Sequence, residues 1–133
     1  MVYGASGQFK SFHAVSWACC VASGKNWNGA RVEQGSVIYV VGEGGLGAPR
    51  RFRGWEGVHN HSEQLQHLYK LDGAIYPADI RTCHAVVNTV NQIELTTGVP
   101  VRLIVLDTLA RCFAGGDENR ASDMGAFIAG SRL

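Results

Sequence analysis

Lys10, Ser11, Glu43 and Asp107 are the residues whose types and positions in this chain could do chemistry together. Lys10 and Ser11 close the run Gly4-Ala5-Ser6-Gly7-Gln8-Phe9-Lys10-Ser11. That run follows the form G-x-x-x-x-G-K-[ST], with Phe9 in place of the second glycine and an added glycine at Gly7. Gly4 can turn the backbone sharply, because glycine reaches positive φ without a steric clash. Amides between Gly7 and Ser11 then point inward as an anion nest, reinforced by the N-terminus of a following helix. In such a nest Lys10 reaches the β- and γ-phosphates of a nucleotide and the Ser11 hydroxyl holds Mg²⁺. Phe9 requires a backbone that does not demand positive φ, where a bulky residue is strained. An ordinary Gly/Ser turn opening a helix has the same outline, so the surroundings must decide.

The two acids each follow an apolar run. Ser36 to Val41 is apolar and largely β-branched with no polar alternation, the pattern of a strand buried on both faces of a parallel sheet. Glu43 stands just past its C-terminal end, the edge where open α/β sheets bind ligands. Val101 to Thr108 is a second such run, and Asp107 near its end has the form of a Walker B acid that holds the nucleotide Mg²⁺. Each acid has a plainer alternative: Glu43 as a solvated loop residue, Asp107 as the cap of the next turn. The glycine loop and both acids, in this order and each at a strand's C-terminal end, favour a nucleotide site.

The elements needed to position these groups are legible. The short stub Val2-Tyr3 precedes the loop, and a helix is expected from Lys10 to about Ser23 with Phe12, Val15, Cys19 and Ala22 on one apolar face. Pro49 to Val58 reads as a short helix with Arg50, Arg51 and Arg53 on a charged face, solvated or touching phosphate or nucleic acid. Gln66 to Leu71 reads as a strand. Pro77 opens a long helix with Ile80, Val87, Val90 and Ile93-Glu94-Leu95 marking its apolar side, and Gly98-Val99-Pro100 ends it. Ala114 to Arg120 is a glycine-rich acidic loop, and Ser122 to Leu133 a terminal helix.

With these elements in place, the chain resembles the RecA-like ATPase core of the RepA-type family, the replicative helicase ATPases and their phage or plasmid relatives. The resemblance is carried by Tyr3 to Phe12, Gly24-Lys25-Asn26-Trp27-Asn28-Gly29, Val32 to Gly35 and Val40-Val41-Gly42-Glu43-Gly44. It continues through Leu106-Asp107-Thr108-Leu109-Ala110-Arg111, Gly116-Asp117-Glu118-Asn119 and Asp123-Met124-Gly125-Ala126-Phe127. It implies a single three-layer α/β domain over residues 1–133, with a mostly parallel sheet. It implies ATP and Mg²⁺ as cofactors, with nucleotide contacts at Gly4, Ala5, Ser6, Gly7, Gln8, Phe9, Lys10, Ser11 and Phe12. Ser11 and Asp107 then serve the metal, and Glu43 activates the attacking water. The implied partners are further copies of the chain, in a ring or filament, and single-stranded DNA. The loop from Ala114 to Arg120 corresponds to a region that can face DNA, although Asp117 and Glu118 repel a phosphate backbone. In such cores more strands follow the Walker B segment, so this chain resembles a core shortened at both ends. That leaves two readings, a working ATPase for DNA replication or recombination, and a remnant that binds nucleotide or assembles without turnover.

Bulk properties agree with one domain. The 133 residues are 46% hydrophobic and 17% charged, which excludes disorder and allows one ordinary core. A formal net charge of +1 gives no broad pull toward nucleic acid. No apolar run approaches the roughly 18–20 residues that span a bilayer, and no secretory leader precedes the loop, so the expected location is the cytoplasm without a membrane partner. The four cysteines form no C-x-x-C pair and read as buried reduced thiols. His59, His61 and His67 read as parts of a solvated stretch rather than a ligand set.

Overall fold

A run as apolar as Ser36–Val41 can hide both faces only in the middle of a sheet. The computed structural model, which describes residues 2, 8–42, 47–73, 79–107, 125 and 129, places it there. The elements in order are α1 (Lys10–Ser23), β1 (Ser36–Val41), α2 (Gly47–His59), β2 (Leu68–Asp72), α3 (Ile80–Thr97) and β3 (Val101–Asp107). The strands are ordered β2-β1-β3 and both pairings are parallel. All six residues of β1 are buried. This is the α/β architecture with a parallel sheet expected from the sequence.

Val37, Tyr39 and Val41 of β1 pack against Val15, Ala18, Cys19 and Ala22 of α1, and Ala48, Phe52 and Leu65 complete the cluster. The buried side of α1 is built mostly from small residues, which lets the helix lie close to the strand. α1 runs antiparallel to the strands. Its first turn meets the end of β3 through Ser11 and Asp107, while its last turn accepts the Gly35 amide on Val21 O at 3.1 Å, just before β1. The positive end of the helix dipole is thereby aimed at the C-terminal edge of the sheet.

Several elements differ in detail from the sequence expectation. Phe12 was expected on the buried face of α1 but is 52% exposed. It sits in the first turn, at the sheet's C-terminal edge, where its neighbour is the Arg51 guanidinium 4.9 Å from its ring centroid. β2 starts at Leu68 rather than Gln66, although pairing is already under way at His67, whose carbonyl accepts the Val37 amide at 2.8 Å. The apolar side expected for α3 is largely open: Ile80, Val87 and Leu95 are 64%, 40% and 86% exposed, and Cys83 is the buried residue of that helix. Ile93 and Leu95 lie about 200° apart around a helix and cannot share a face. Glu94 instead turns inward, its Oε1 accepting the Val101 amide at 2.8 Å and pinning the start of β3. Pro77, the 114–120 loop and the 122–133 helix lie outside the described residues, apart from residues 125 and 129, which are helical.

Gly35 shows how closely the entrance to β1 is packed. A Cβ added there would run into Arg102 Cγ and sit 2.8 Å from Pro100 O, a backbone atom that cannot swing away. Gly35→Ala is expected to cost about 1–3 kcal/mol through overpacking, read as a lower urea midpoint with an unchanged slope.

Three of the four thiols are described, and Cys112 lies outside the described residues. Cys19, Cys20 and Cys83 are reduced and buried. Burial, with smaller contributions from Glu56 and Cys20, pushes the Cys19 thiol up to about 12. Because the thiolate is the reactive form, Cys19 is inert in the folded protein. Ellman's reagent at pH 8 is expected to titrate at most one of the four cysteines before denaturation and all four after it. Prompt reaction of two or more thiols in the native protein would contradict this packing.

Candidate functional site

The C-terminal ends of the three strands meet in one line. Val41 pairs with Asp72 on one side and Asp107 on the other, and the Gly42 amide donates to Asp107 O at 2.9 Å. Two acids therefore flank the end of the central strand. Asp72 is largely exposed and its carboxylate is held by Lys70 Nζ at 2.7 Å. Asp107 is half-buried and faces α1.

Ser11 Oγ–H donates to Asp107 Oδ1 at 2.9 Å, joining residues 96 positions apart. This brings together the two groups proposed from sequence to serve a metal. The donor set suits Mg²⁺: a hydroxyl with lone pairs to spare and a carboxylate, both hard oxygen ligands. Magnesium commonly keeps several waters and is held by one or two carboxylates together with substrate phosphates, so a fuller protein cage is not required. No cluster of three or more His, Cys, Asp or Glu side chains fit for a metal exists among the described residues; His59, in the last turn of α2, and His61 are exposed, while His67 is half-buried rather than solvated.

Lys10 is the first residue of α1 and is half-buried. Among the described residues no side chain caps this helix end, and its first turn carries no acid. The amides of the first turn and the helix dipole together favour an anion at this end. Phe9 departs from the sequence expectation. It occupies the left-handed region at φ 54°, ψ 19°, as the residue preceding the helix. That conformation is the one glycine would supply in the full motif, and for a residue with a Cβ it stores roughly 1–2 kcal/mol. Its ring is 69% exposed and meets Phe12 edge-on at 5.7 Å. Gln8 is exposed, while Gly4, Ala5, Ser6 and Gly7 lie outside the described residues. Glu43 also lies outside them.

Tyr39 is the site residue that sequence reasoning missed. Its hydroxyl donates to Asp107 Oδ2 at 2.8 Å, and its ring meets Phe52 edge-on at 5.2 Å. Burial pushes the phenol well above its ordinary range, and the hydrogen bond to Asp107 adds to this, so the proton stays on Tyr39. The signal was present in the sequence: a hydroxyl in the middle of an otherwise aliphatic buried strand must find an acceptor.

Beside Ser11, between α1 and α2, lies an open cleft of about 400 Å³ lined by Phe12, Val15, Arg50, Arg51, Gly54 and Trp55. The basic residues of α2 thus divide: Arg51 is engaged on Phe12, while Arg50 and Arg53 are exposed. No helix among the described residues is long and apolar enough to cross a membrane.

A family model described as an AAA domain matches residues 1–132, almost the whole chain. No curated protein and no solved structure matches it. A parallel sheet, a helix N-terminus aimed at its C-terminal edge, and a serine bonded to a strand-end aspartate are in keeping with such a domain. The chain belongs to the AAA domain family, as an ATPase-type nucleotide-binding domain.

Proposed function

We propose that this domain binds ATP with Mg²⁺ in the loop of residues 4–12 and hydrolyses it, as a RecA-like ATPase of the RepA-type replicative helicase family. The observation that supports the site is the 2.9 Å bond between Ser11 and Asp107, which joins the phosphate-loop hydroxyl to the strand-end acid. Lys10 neutralises the outer phosphates, and the α1 N-terminus adds its partial positive charge. Ser11 and Asp107 hold Mg²⁺, which when bound draws charge from the β- and γ-phosphate oxygens. Glu43, two residues beyond the end of β1, orients and deprotonates the water that attacks the γ-phosphate. The cleft beside Phe12, with its aromatic walls and guanidinium rim, suits the flat face of the base. Work in DNA replication or recombination, assembly with further copies and contact with single-stranded DNA are parts of the same proposal.

Titration with a fluorescent ATP analogue tests it. Saturable binding is expected, tighter in Mg²⁺ than in EDTA by about tenfold or more, equivalent to about 1.4 kcal/mol. Absence of saturable binding under both conditions would refute the site.

A further inference from the structure

Asp107 carries a separate donor on each carboxylate oxygen. Ser11 reaches Oδ1 from the first turn of α1, and Tyr39 reaches Oδ2 from the neighbouring strand at 2.8 Å. A carboxylate held by one hydrogen bond still turns broadly about its last torsion, whereas two donors from two elements leave one orientation. The donor from β1 is itself immobile. Tyr39 has no accessible surface, sits in the core cluster with Val37 and Val41, and has the Phe52 ring at 5.2 Å and 78° to its own. β1 and β3 are also in register here, Tyr39 pairing with Val105, so the hydroxyl reaches two residues along the partner strand to the acid.

We infer that Tyr39 is a positioning residue, whose hydroxyl holds the Asp107 carboxylate in place for the nucleotide's Mg²⁺ before the metal arrives. This rests on the ATP–Mg²⁺ reading above and extends it to a residue of the core strand that acts through Asp107. Groups that orient a metal ligand in this way typically change metal affinity by 10- to 100-fold when removed. The aromatic strand position thus couples the packing of the core to the metal side of the site. Loss of the ring and loss of the hydroxyl should have separable consequences, the first on folding and the second on metal.

Tyr39→Phe removes the hydroxyl and keeps the ring. Affinity for N-methylanthraniloyl-ATP is measured in EDTA and across a Mg²⁺ titration, with Mn²⁺ binding followed by electron paramagnetic resonance. The expected result is an EDTA affinity within about twofold of wild type, with half-saturating Mg²⁺ and Mn²⁺ raised by about 10- to 100-fold. A purely structural role would shift both conditions alike and overturn the inference, as would unchanged metal dependence. Failure of wild-type protein to bind the analogue at all would overturn the ATP site and the inference with it. Should Tyr39→Phe not fold, wild-type protein labelled at the tyrosine Cζ carbon answers the same question. The Tyr39 resonance, one of four, is expected to move when Mg²⁺ joins bound ATP. A resonance that ignores the metal would overturn the inference.

Discussion

Lys10→Ala is expected to weaken ATP binding by about 2–4 kcal/mol, roughly 30- to 1000-fold in Kd. On the proposed reading, two positive features would meet the phosphates at this end of α1: the lysine, a full unit charge, and the helix N-terminus, about half a charge. A helix end contributes typically 0.3–1 kcal/mol toward an anion, so the lysine carries most of the attraction. The substitution also leaves α1 intact, because alanine is the best helix former and Lys10 is a terminal position. Calorimetric titration therefore reads charge rather than folding, and equal affinity in the two proteins would refute the role of Lys10.

Glu43→Gln should leave ATP binding within about twofold while lowering turnover by roughly 10²- to 10⁴-fold, the usual contribution of a general base. Glutamine keeps the shape and loses the ability to accept a proton. The sheet supports the choice of residue. Pairing between β1 and β3 continues through Gly42, whose amide is bonded to Asp107, and Glu43 is the next residue in the chain. Single-turnover measurement with saturating ATP separates the two effects. A wild-type rate already equal to that of Glu43→Gln would favour the non-hydrolysing alternative, and a variant that loses binding would make Glu43 a ligand-contacting residue instead.

The parts of the fold written in uninterrupted hydrophobicity were the legible ones. β1 was bounded to the residue, because six consecutive apolar or small residues between Gly35 and Gly42 allow no other placement. α1 was bounded as well, since Gly24 adopts the left-handed cap at φ 73° that ends a helix. The outer helix α3 was located, with Val90 and Ile93 half-buried on the expected side and Ile80, Val87 and Leu95 left exposed. Its large apolar residues other than Leu95 lie on one side of the axis, and Val86, Val87 and Val90 face Val101, Leu103 and Ile104 of β3 across an open gap, with Glu94 bonded to the start of that strand. Of the site, the Ser11–Asp107 pair followed from a hydroxyl at the end of the glycine loop and an acid at the end of a strand. The backbone of Phe9 did not follow, since residue type argued against a conformation that the loop imposes. Tyr39 was hidden by its company: among five neighbours that serve as core, its ring was counted and its hydroxyl was not.

The order of the strands has a consequence for how the protein is made. Of the three described strands β1 emerges from the ribosome first but pairs on both sides with segments that come later, and the Ser11–Asp107 hydrogen bond spans 96 residues. At about 5–20 residues per second, roughly 5–20 s separate synthesis of Ser11 from that of Asp107. While α3 and β3 are being made, the most apolar segment of the chain has at most its β2 flank in place, a state prone to aggregation. Slow elongation across the α3 segment would lengthen this exposure, so expression yield should respond to chaperones that shield nascent hydrophobic strands.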